Sequence, residues 1–231
     1  MQADTDQNRE QPGFSYTGEL CRTPRVLDLC CGAGGASVGL WRCGFDVTGV
    51  DWKAQPNYPF DLIEADAREI DLDGYDGYWA SPPCQEYSIG SQRWKNEGRE
   101  YADCLSAVRE RLKATGKPYI IENVPGAPLE SPVTLEGQQF DLGVIRRRVF
   151  ESNFMLMTPP PERPRGTVKD GDYVTVAGHG GDGCAKYSVW QRAMGIFWMT
   201  KEELTEAVPP AYAEFLGDQL RDEVERRARA A

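Results

Sequence analysis

The chain has 231 residues, which is enough for one sizeable α/β domain around a single core. Hydrophobic residues make up 40% of it and charged residues 27%, ordinary values for a globular protein, and no apolar run is long enough to cross a bilayer. The formal net charge of −10 argues against a protein that coats nucleic acid by general electrostatics, although a local basic groove can exist on an acidic protein.

The cysteine content and the N-terminus indicate the compartment. Seven cysteines, an odd number that includes the adjacent pair Cys30 and Cys31, favour a reducing compartment over a disulfide framework. The polar N-terminus lacks a basic stretch followed by an apolar one, so a cytoplasmic protein is expected. A monomer is expected as well. A single histidine and the absence of a C-x-x-C motif indicate no metal site.

The first two thirds of the chain alternate between strand and helix patterns. An apolar run, a glycine-rich stretch and helix-compatible residues predict a strand, a turn and a helix over residues 25–40. The same criteria predict a helix that stops at Gly116 within residues 100–116 and further strands within 45–52, 62–67, 75–83 and 117–126. This order implies a doubly wound, Rossmann-like, mostly parallel sheet that binds ligands at the carboxyl ends of its strands.

The last third has a different pattern. Residues 147–154 and 172–178 have strand character without an intervening helix and are separated by a proline-rich stretch, which predicts a small antiparallel addition. Three helices are predicted for residues 187–196, 200–208 and 210–230. Thr200 with Glu203 forms the sequence pattern of a capping box at the start of the second of these helices.

A glycine-rich turn after the first strand is a candidate cofactor site. Gly32, Gly34 and Gly35 allow a close backbone approach to a ligand, and Asp51 at the end of the next strand can accept hydrogen bonds from ribose hydroxyls. The G-x-G-G pattern alone is equally compatible with a plain tight turn. Because the third glycine of the dinucleotide fingerprint is missing, a cofactor with a single adenosine is favoured over NAD.

Two further residues are candidates for adenine binding. Trp52 can stack on the base, and Asp66 can accept a hydrogen bond from its exocyclic amine. The alternative is that Trp52 is an ordinary packed aromatic residue and Asp66 a solvated acid in a turn.

The segment ASPPCQEYS, residues 80–88, presents a cysteine behind two prolines. Two prolines fix φ twice and remove two backbone donors, so the chain must turn rigidly out of the preceding strand at Cys84. The alternative is a strand-ending turn with an incidental thiol, because free cysteine is usually a small buried hydrophobe.

Four motifs in this order resemble those of the cytosine carbon-5 DNA methyltransferases. They are DLCCGAGG (28–35), SPPCQ (81–85), IENVPG (121–126) and RRRVF (146–150), and the resemblance covers about residues 25–150 with a looser echo at residues 211–220. It implies the class I methyltransferase fold, S-adenosylmethionine as cofactor and DNA as the partner. It also implies four segments: a flexible arm at 1–22, a catalytic core at 23–150, a reduced recognition insertion at 151–186 and C-terminal helices at 187–231.

The resemblance implies a catalytic role for four residues. Cys84 would add to carbon 6 of cytosine, and Glu122 would protonate or hydrogen-bond ring nitrogen 3. Arg148, and behind it Arg146, would orient the base and support the Cys84 loop. For the arginines the alternative is a solvated basic strand edge.

The resemblance also assigns binding residues. The implied cofactor residues are Asp28, Cys30, Gly32, Gly34, Gly35, Asp51, Trp52, Asp66, Ala67 and Pro82. The implied substrate residues are Pro83, Gln85, Ser88, Arg93, Asn123 and His179, although a lone histidine is more often incidental. Arg93, Lys95, Arg163 and Arg165 are expected to contact phosphates without reading sequence.

The chain departs from the family pattern in four places. The insertion is too short for a full target-recognition region, which predicts methylation within a context of two or three bases. Cys30 replaces the family's usual phenylalanine, Asp51 its usual glutamate, and Gly217 with Asp218 its late glycine-asparagine pair.

Three alternatives to a DNA methyltransferase remain open from the sequence. The same chemistry could act on RNA or on a free cytosine nucleotide. The chain could be a non-catalytic, cofactor-binding partner of a recognition subunit, which the presence of Cys84 and Glu122 disfavours. It could be a thiol redox protein that uses Cys30 and Cys31, which simple packing of these cysteines disfavours.

Overall fold

The structure is a computed structural model that describes residues 22–84, 87, 104–163, 165–176 and 186–230. Four of the predicted substrate residues, Gln85, Ser88, Arg93 and His179, lie outside the described residues, as does Lys95.

Seven strands form one sheet in the order β3-β2-β1-β4-β5-β7-β6. The strands are β1 (Arg25–Leu29), β2 (Asp46–Asp51), β3 (Asp61–Glu64), β4 (Gly77–Ala80), β5 (Tyr119–Asn123), β6 (Val133–Leu135) and β7 (Arg148–Ser152). Strands β1 to β5 pair in parallel, whereas β7 is antiparallel to both of its neighbours. The predicted doubly wound, mostly parallel sheet with an antiparallel addition is therefore confirmed.

Five helices accompany the sheet in the described part of the chain. They are α1 (Gly35–Arg42), α2 (Cys104–Thr115), α3 (Tyr187–Met194), α4 (Lys201–Glu206) and α5 (Pro210–Ala230), with a 3-10 turn at Gly137–Phe140. The predicted stop of α2 coincides with Gly116, which has a positive φ of 66°. The predicted capping box of α4 forms between Thr200 and Glu203.

Hydrophobic cores cover both faces of the sheet. Successive strand residues point to opposite faces, so Val26 packs with α1 and α5 while Leu27 packs with α2. A third core surrounds α3 and includes Ala33 of the glycine turn and Val176. This third core places the chain after α3 against the carboxyl ends of the strands, because the Trp198 indole donates to the Ala33 carbonyl at 2.9 Å.

Close contact between α1 and α5 explains one glycine of the expected late family motif. A Cβ on Gly217 would lie 2.8 Å from the Cys43 sulfur, so this glycine lets the two helices approach each other. Gly217 and Asp218 therefore lie on the packing helix α5 and are not lining residues of the cavity described below.

Three local expectations differ from the structure. The predicted strand at 172–178 is wrong over its described part, where Val174 forms only an isolated bridge with Val144. The ladder stops there because the Val176 carbonyl accepts a hydrogen bond from Arg146 instead of from a strand. Strand β6 was not predicted, since three residues are too few to show a period of two. The third strand ends at Glu64, so Asp66 lies in the turn that follows it.

Candidate active site

A cavity of about 350 Å³ opens at the carboxyl ends of the parallel strands. The glycine turn, Asp51, the Pro82–Pro83–Cys84 segment, Glu122 and Arg148 all line it. Residues from all four predicted motifs therefore meet in one place, as expected for ligand sites in doubly wound sheets.

The glycine turn forms the floor of this cavity. Gly32 has a positive φ of 51°, and a Cβ there would meet no atom within 4 Å, so its backbone faces open space. Gly35 is close-packed instead, because its Cβ would lie 2.3 Å from the Val208 carbonyl oxygen. Cys30, another lining residue, has a φ of 58°, a conformation that favours glycine.

Two backbone donors fix the carboxylate of Asp51. Oδ2 accepts from the Gly32 amide at 3.0 Å, and Oδ1 accepts from the Lys53 amide at 3.1 Å. Each carboxylate oxygen keeps a second lone pair for a ligand hydroxyl. Asp51 can thus close the turn and bind a ribose at the same time.

The two candidate adenine residues have different surroundings. Trp52 lines the cavity with 71% of its surface exposed, and the Lys53 ammonium lies 4.6 Å from the centroid of its ring. Asp66 forms an ion pair with Arg68 at 2.5 Å, and hydrogen bonds from Arg68 lower the pKa of Asp66 to about 2. Neither Asp66 nor Ala67 is a lining residue of the cavity.

Asp28 lies beneath the glycine turn and is fully buried. Its Oδ2 accepts from the Ser37 hydroxyl at 2.5 Å, and Ser37 in turn accepts from the Tyr58 hydroxyl at 2.9 Å. Burial raises the pKa of Asp28 to about 7, an effect that the Ser37 hydrogen bond opposes. Asp28 therefore supports the start of α1 from below and does not line the cavity.

Backbone and side-chain hydrogen bonds hold the turn that presents Cys84. The Asn123 amide donates to the Pro82 carbonyl at 3.0 Å, and the Ser81 amide donates to the Leu29 carbonyl at 2.9 Å. The Tyr87 amide donates to the Cys84 carbonyl at 2.9 Å. Asn123 is buried by these contacts and does not line the cavity itself.

The charges around Cys84 are paired. Arg148 Nε lies 2.9 Å from Glu122 Oε1, and both side chains are largely buried. Burial raises the pKa of Glu122 above its usual value, while Arg148 and Arg146 oppose the rise. Burial also raises the pKa of the Cys84 thiol, and the negative charge of Glu122 adds to this, with Arg148 opposing both.

Arg146 is a buried brace and not a lining residue of the cavity. It is 5% exposed, and its guanidinium donates to the carbonyls of Val176 and Thr205, each at 2.8 Å. Burial and the positive charge of Arg148 together lower the pKa of Arg146 to about 9. Arg146 therefore joins the segment before residue 177 to the end of α4.

The comparisons with known proteins agree with the motif positions. Residues 24–130 match the model of the C-5 cytosine-specific DNA methylases, a range that includes Cys84 and Glu122 but ends before Arg148. A Type II methyltransferase of Fusobacterium nucleatum is 32% identical over 118 residues, which are 44% of this chain and 33% of that protein. Residues 24–130 are therefore similar to the C-5 cytosine-specific DNA methylases.

Solved structures support the overall fold. A candidate DNA modification methyltransferase encoded within an E. coli prophage matches with a TM-score of 0.60 at 14% identity, covering 88% of this chain and 100% of that chain. The S. pombe Dnmt2 methyltransferase matches with a TM-score of 0.59 at 13% identity, covering 87% and 99%. By contrast, the chain spans about a third of the length of the curated relatives that it matches.

Sequence reasoning missed one wall of the cavity. The chain from Met199 through α4 to Val208 contributes lining residues, among them Glu203, Thr205 and Glu206. The Asn57 amide donates to Glu203 at 3.0 Å, which ties this wall to the loop after β2. The capping box predicts helix α4. No local pattern indicates that the chain around this helix packs against the glycine turn, some 170 residues earlier, so only the tertiary structure could reveal this wall.

The described residues contain neither a candidate metal site nor a candidate membrane-spanning helix. No group of three or more His, Cys, Asp or Glu side chains could hold a metal ion in the part of the chain that the structure describes. Within the same residues, no helix is both long and apolar enough to span a membrane.

Proposed function

We propose that this chain transfers a methyl group from S-adenosylmethionine to carbon 5 of cytosine in DNA through a covalent adduct with Cys84. The observation that carries the proposal is the meeting of Cys84, Glu122 and Arg148 in one cavity with the glycine turn and Asp51. The match of residues 24–130 to the model of the C-5 cytosine-specific DNA methylases supports the same reaction class.

The lining residues fit an adenosine-bearing sulfonium cofactor. Gly32 presents open backbone, and Asp51 keeps free acceptor positions for ribose hydroxyls. Glu203 and Glu206 bring further carboxylates to the same cavity, and carboxylates stabilise ammonium and sulfonium groups. When bound there, S-adenosylmethionine would supply the electrophilic methyl group.

Cys84 and Glu122 would activate the cytosine ring together. The Cys84 thiolate forms a bond to carbon 6, and the displaced electron pair is accommodated at nitrogen 3, which takes a proton from Glu122. The raised pKa of Glu122 favours the protonated carboxyl that this step requires. Carbon 5 then has enamine character and can attack the methyl group.

Arg148 would orient the base and hold the Glu122 carboxyl group in position. Its guanidinium is held beside Glu122 and lines the cavity, so it can donate to the exocyclic oxygen of a bound cytosine. After methyl transfer the proton on carbon 5 leaves to water, and the bond between Cys84 and carbon 6 breaks. Arg146 acts indirectly, by holding the wall that Thr205 belongs to.

The substrate would be DNA in which the target base is unpaired or easily flipped. Both reacting carbons of cytosine are shielded inside a duplex, so the base must leave the stack. We assign residues 23–150 to the catalytic core, 151–186 to a reduced recognition insertion and 187–231 to helices that pack back on the core. An insertion of this length can hold few side chains against base edges.

Parallel incubation with DNA, RNA and cytosine nucleotides tests this function. Each substrate receives S-adenosylmethionine, and the nucleosides are analysed by mass. We expect 5-methylcytosine in DNA, and DNA that carries 5-fluorocytosine should trap a stable covalent adduct, since fluorine blocks the final elimination. Product only in RNA or only in free nucleotides would assign the same chemistry to that substrate, and no product with any of them would refute the proposal.

A further inference from the structure

A second cavity, of about 300 Å³, shares no lining residue with the first. Its polar lining residues are Gln138, Asp141, Glu162, Arg165, Asp172 and Tyr173, and we call it the insertion cavity. Its volume is at the lower end of the range for small-ligand sites, which suits a group the size of one base.

The insertion cavity lies at the same edge of the sheet as Cys84. Strand β7 is antiparallel to β5 and begins at Arg148, beside the carboxyl end of β5. Strand β6 runs back along β7 and ends at Leu135, opposite Arg148, so the 3-10 turn that holds Gln138 follows at this edge. Lining residues of both cavities therefore lie at the end of the sheet that carries Cys84.

Hydrogen bonds connect the insertion cavity to the buried brace Arg146. The Val174 amide donates to the Gly143 carbonyl at 2.9 Å, next to Tyr173 in the cavity wall. Two residues later the Val176 carbonyl accepts from Arg146. At roughly 3.3 Å per extended residue, Tyr173 lies within about 10 Å of Val176 along the chain.

Gln138 contributes an acceptor that lacks a donor. It is 6% exposed, and its Nε2 donates to Glu136 Oε2 at 3.3 Å. Its Oε1 has no hydrogen-bond partner among the described residues. Rotating the amide would place Oε1 against the Glu136 carboxylate, so the orientation is set, and a buried acceptor of this kind favours a ligand that donates.

The remaining polar groups also favour a donor. Three carboxyl groups line the cavity against one guanidinium, and Arg165 already pairs with Glu162 at 2.6 Å. An excess of acceptors disfavours a phosphate and favours an N–H group. Amide and carboxylate oxygens accept hydrogen bonds from the exocyclic amines of adenine and cytosine, and an aromatic side chain such as Tyr173 can stack on the ring.

We propose that the insertion cavity binds an adenine that neighbours the target base in the substrate strand. This inference rests on the proposed function and adds a reading element to it. Arg163 and Lys169, both exposed and close in sequence to the cavity residues, would hold the flanking phosphates outside the acidic lining.

Matched oligonucleotides test the proposal. Single-stranded oligonucleotides with one target cytosine carry, at one neighbouring position at a time, adenine or purine, which is adenine without its amino group. Dissociation constants and initial rates of methyl transfer are measured for each. We expect adenine to bind at least about tenfold more tightly than purine at one position, the size of one good base contact.

Variants link that preference to the cavity. Gln138→Leu and Asp172→Asn should each reduce the preference to less than about threefold, whereas Glu69→Gln, an exposed carboxyl outside both cavities, should leave it intact. Thermal unfolding and the cofactor dissociation constant identify a variant that fails to fold, and Asp141→Asn then replaces it.

The outcomes separate this inference from the proposed function. A preference for adenine that the cavity variants reduce, without methyl transfer to any substrate, refutes the proposed function and supports the cavity proposal. Methyl transfer with no preference, or with a preference that the variants keep, overturns the cavity proposal. Displacement by arginine amide without any effect of the base would assign the cavity to a protein side chain and overturn it too, and no oligonucleotide binding would refute both.

Discussion

The Asn123 amide nitrogen lies 3.0 Å from the Pro82 carbonyl oxygen and joins two motifs that are 41 positions apart. The Asn123 side chain also accepts from the Val124 amide at 2.9 Å, so both of its polar atoms are engaged inside the protein. A residue that sequence resemblance assigns to substrate binding thus holds the turn that presents the nucleophile. We infer that its role is to position Cys84.

We predict that Asn123→Asp lowers kcat by about ten- to a hundredfold while cofactor affinity changes little. An ionised carboxylate cannot donate to Pro82, and an unsatisfied buried carbonyl costs about 1–3 kcal/mol. Single-turnover rates and cofactor titrations measure the two effects. Asn153→Asp is the matched control, because Asn153 donates to the Lys117 carbonyl at the opposite end of β5. A loss confined to substrate KM would instead assign Asn123 to substrate binding.

Cys84→Ser should abolish product formation and leave cofactor affinity within a few-fold. A hydroxyl is far less ionised than a thiol at neutral pH, so addition to the ring stops, while the cofactor contacts remain. Cys43→Ser is the control, since the Cys43 sulfur lies between α1 and α5 within 3.3 Å of the Gly39 carbonyl and 3.0 Å of the Glu214 carbonyl, and Cys43 does not line the cavity. Normal turnover by Cys84→Ser would remove this thiol from the mechanism.

Asp51→Ala should weaken S-adenosylmethionine binding by about 1–3 kcal/mol, the cost of losing a charged acceptor. The change also frees the Gly32 and Lys53 amides, which loosens the turn. Isothermal titration measures the affinity, and Asp46→Ala, at the exposed start of the same strand, is the control. An unchanged dissociation constant would show that another residue binds the ribose.

The contribution of Asp28 to the free energy of unfolding should fall as the pH rises from about 4 to about 7. Its pKa is raised from 3.8 to about 7, so the folded state holds a proton that the unfolded chain has released. Asp28→Asn stays neutral and should gain stability relative to the native chain as the pH rises, by up to about 4 kcal/mol. Denaturant unfolding at several pH values measures this, with Asp46→Asn as the control. A pH-independent difference would mean that Asp28 is ionised in the folded protein.

The sequence predicted the elements whose pattern is local. The strand, glycine turn and helix at residues 25–42 depend on neighbours in the chain, and the structure has them where expected. The cavity wall formed by residues 199–208 is held by the third core, in which Trp198 contacts Ala33. The periodicity of nearby residues does not predict this contact. Residues 172–178 have the alternating pattern of a strand. The buried Arg146 guanidinium nevertheless donates to the Val176 carbonyl, which would otherwise pair with a neighbouring strand. Local propensity failed there because a tertiary contact competes for the backbone.

The last prediction concerns the length of the sequence that the enzyme reads. Each good base contact supplies about 1–3 kcal/mol of discrimination and requires a side chain held in fixed geometry. In the described part of residues 151–186, Arg165 is already paired with Glu162, and beyond the end of β7 at Ser152 the described residues form only one isolated bridge. So few rigid contacts predict methylation within a context of two or three bases, with unpaired or easily opened cytosines preferred because flipping them costs less.

Expression in a host without cytosine methylation, followed by sequencing of the methylated positions, measures this context. The Cys84→Ser variant, expressed in the same host, supplies the background. Variants of the insertion cavity should broaden the context further, since they remove one of the few reading contacts. A strict motif of four or more bases would contradict the prediction, because it would require more base contacts than this segment holds, and it would indicate that a recognition partner supplies them.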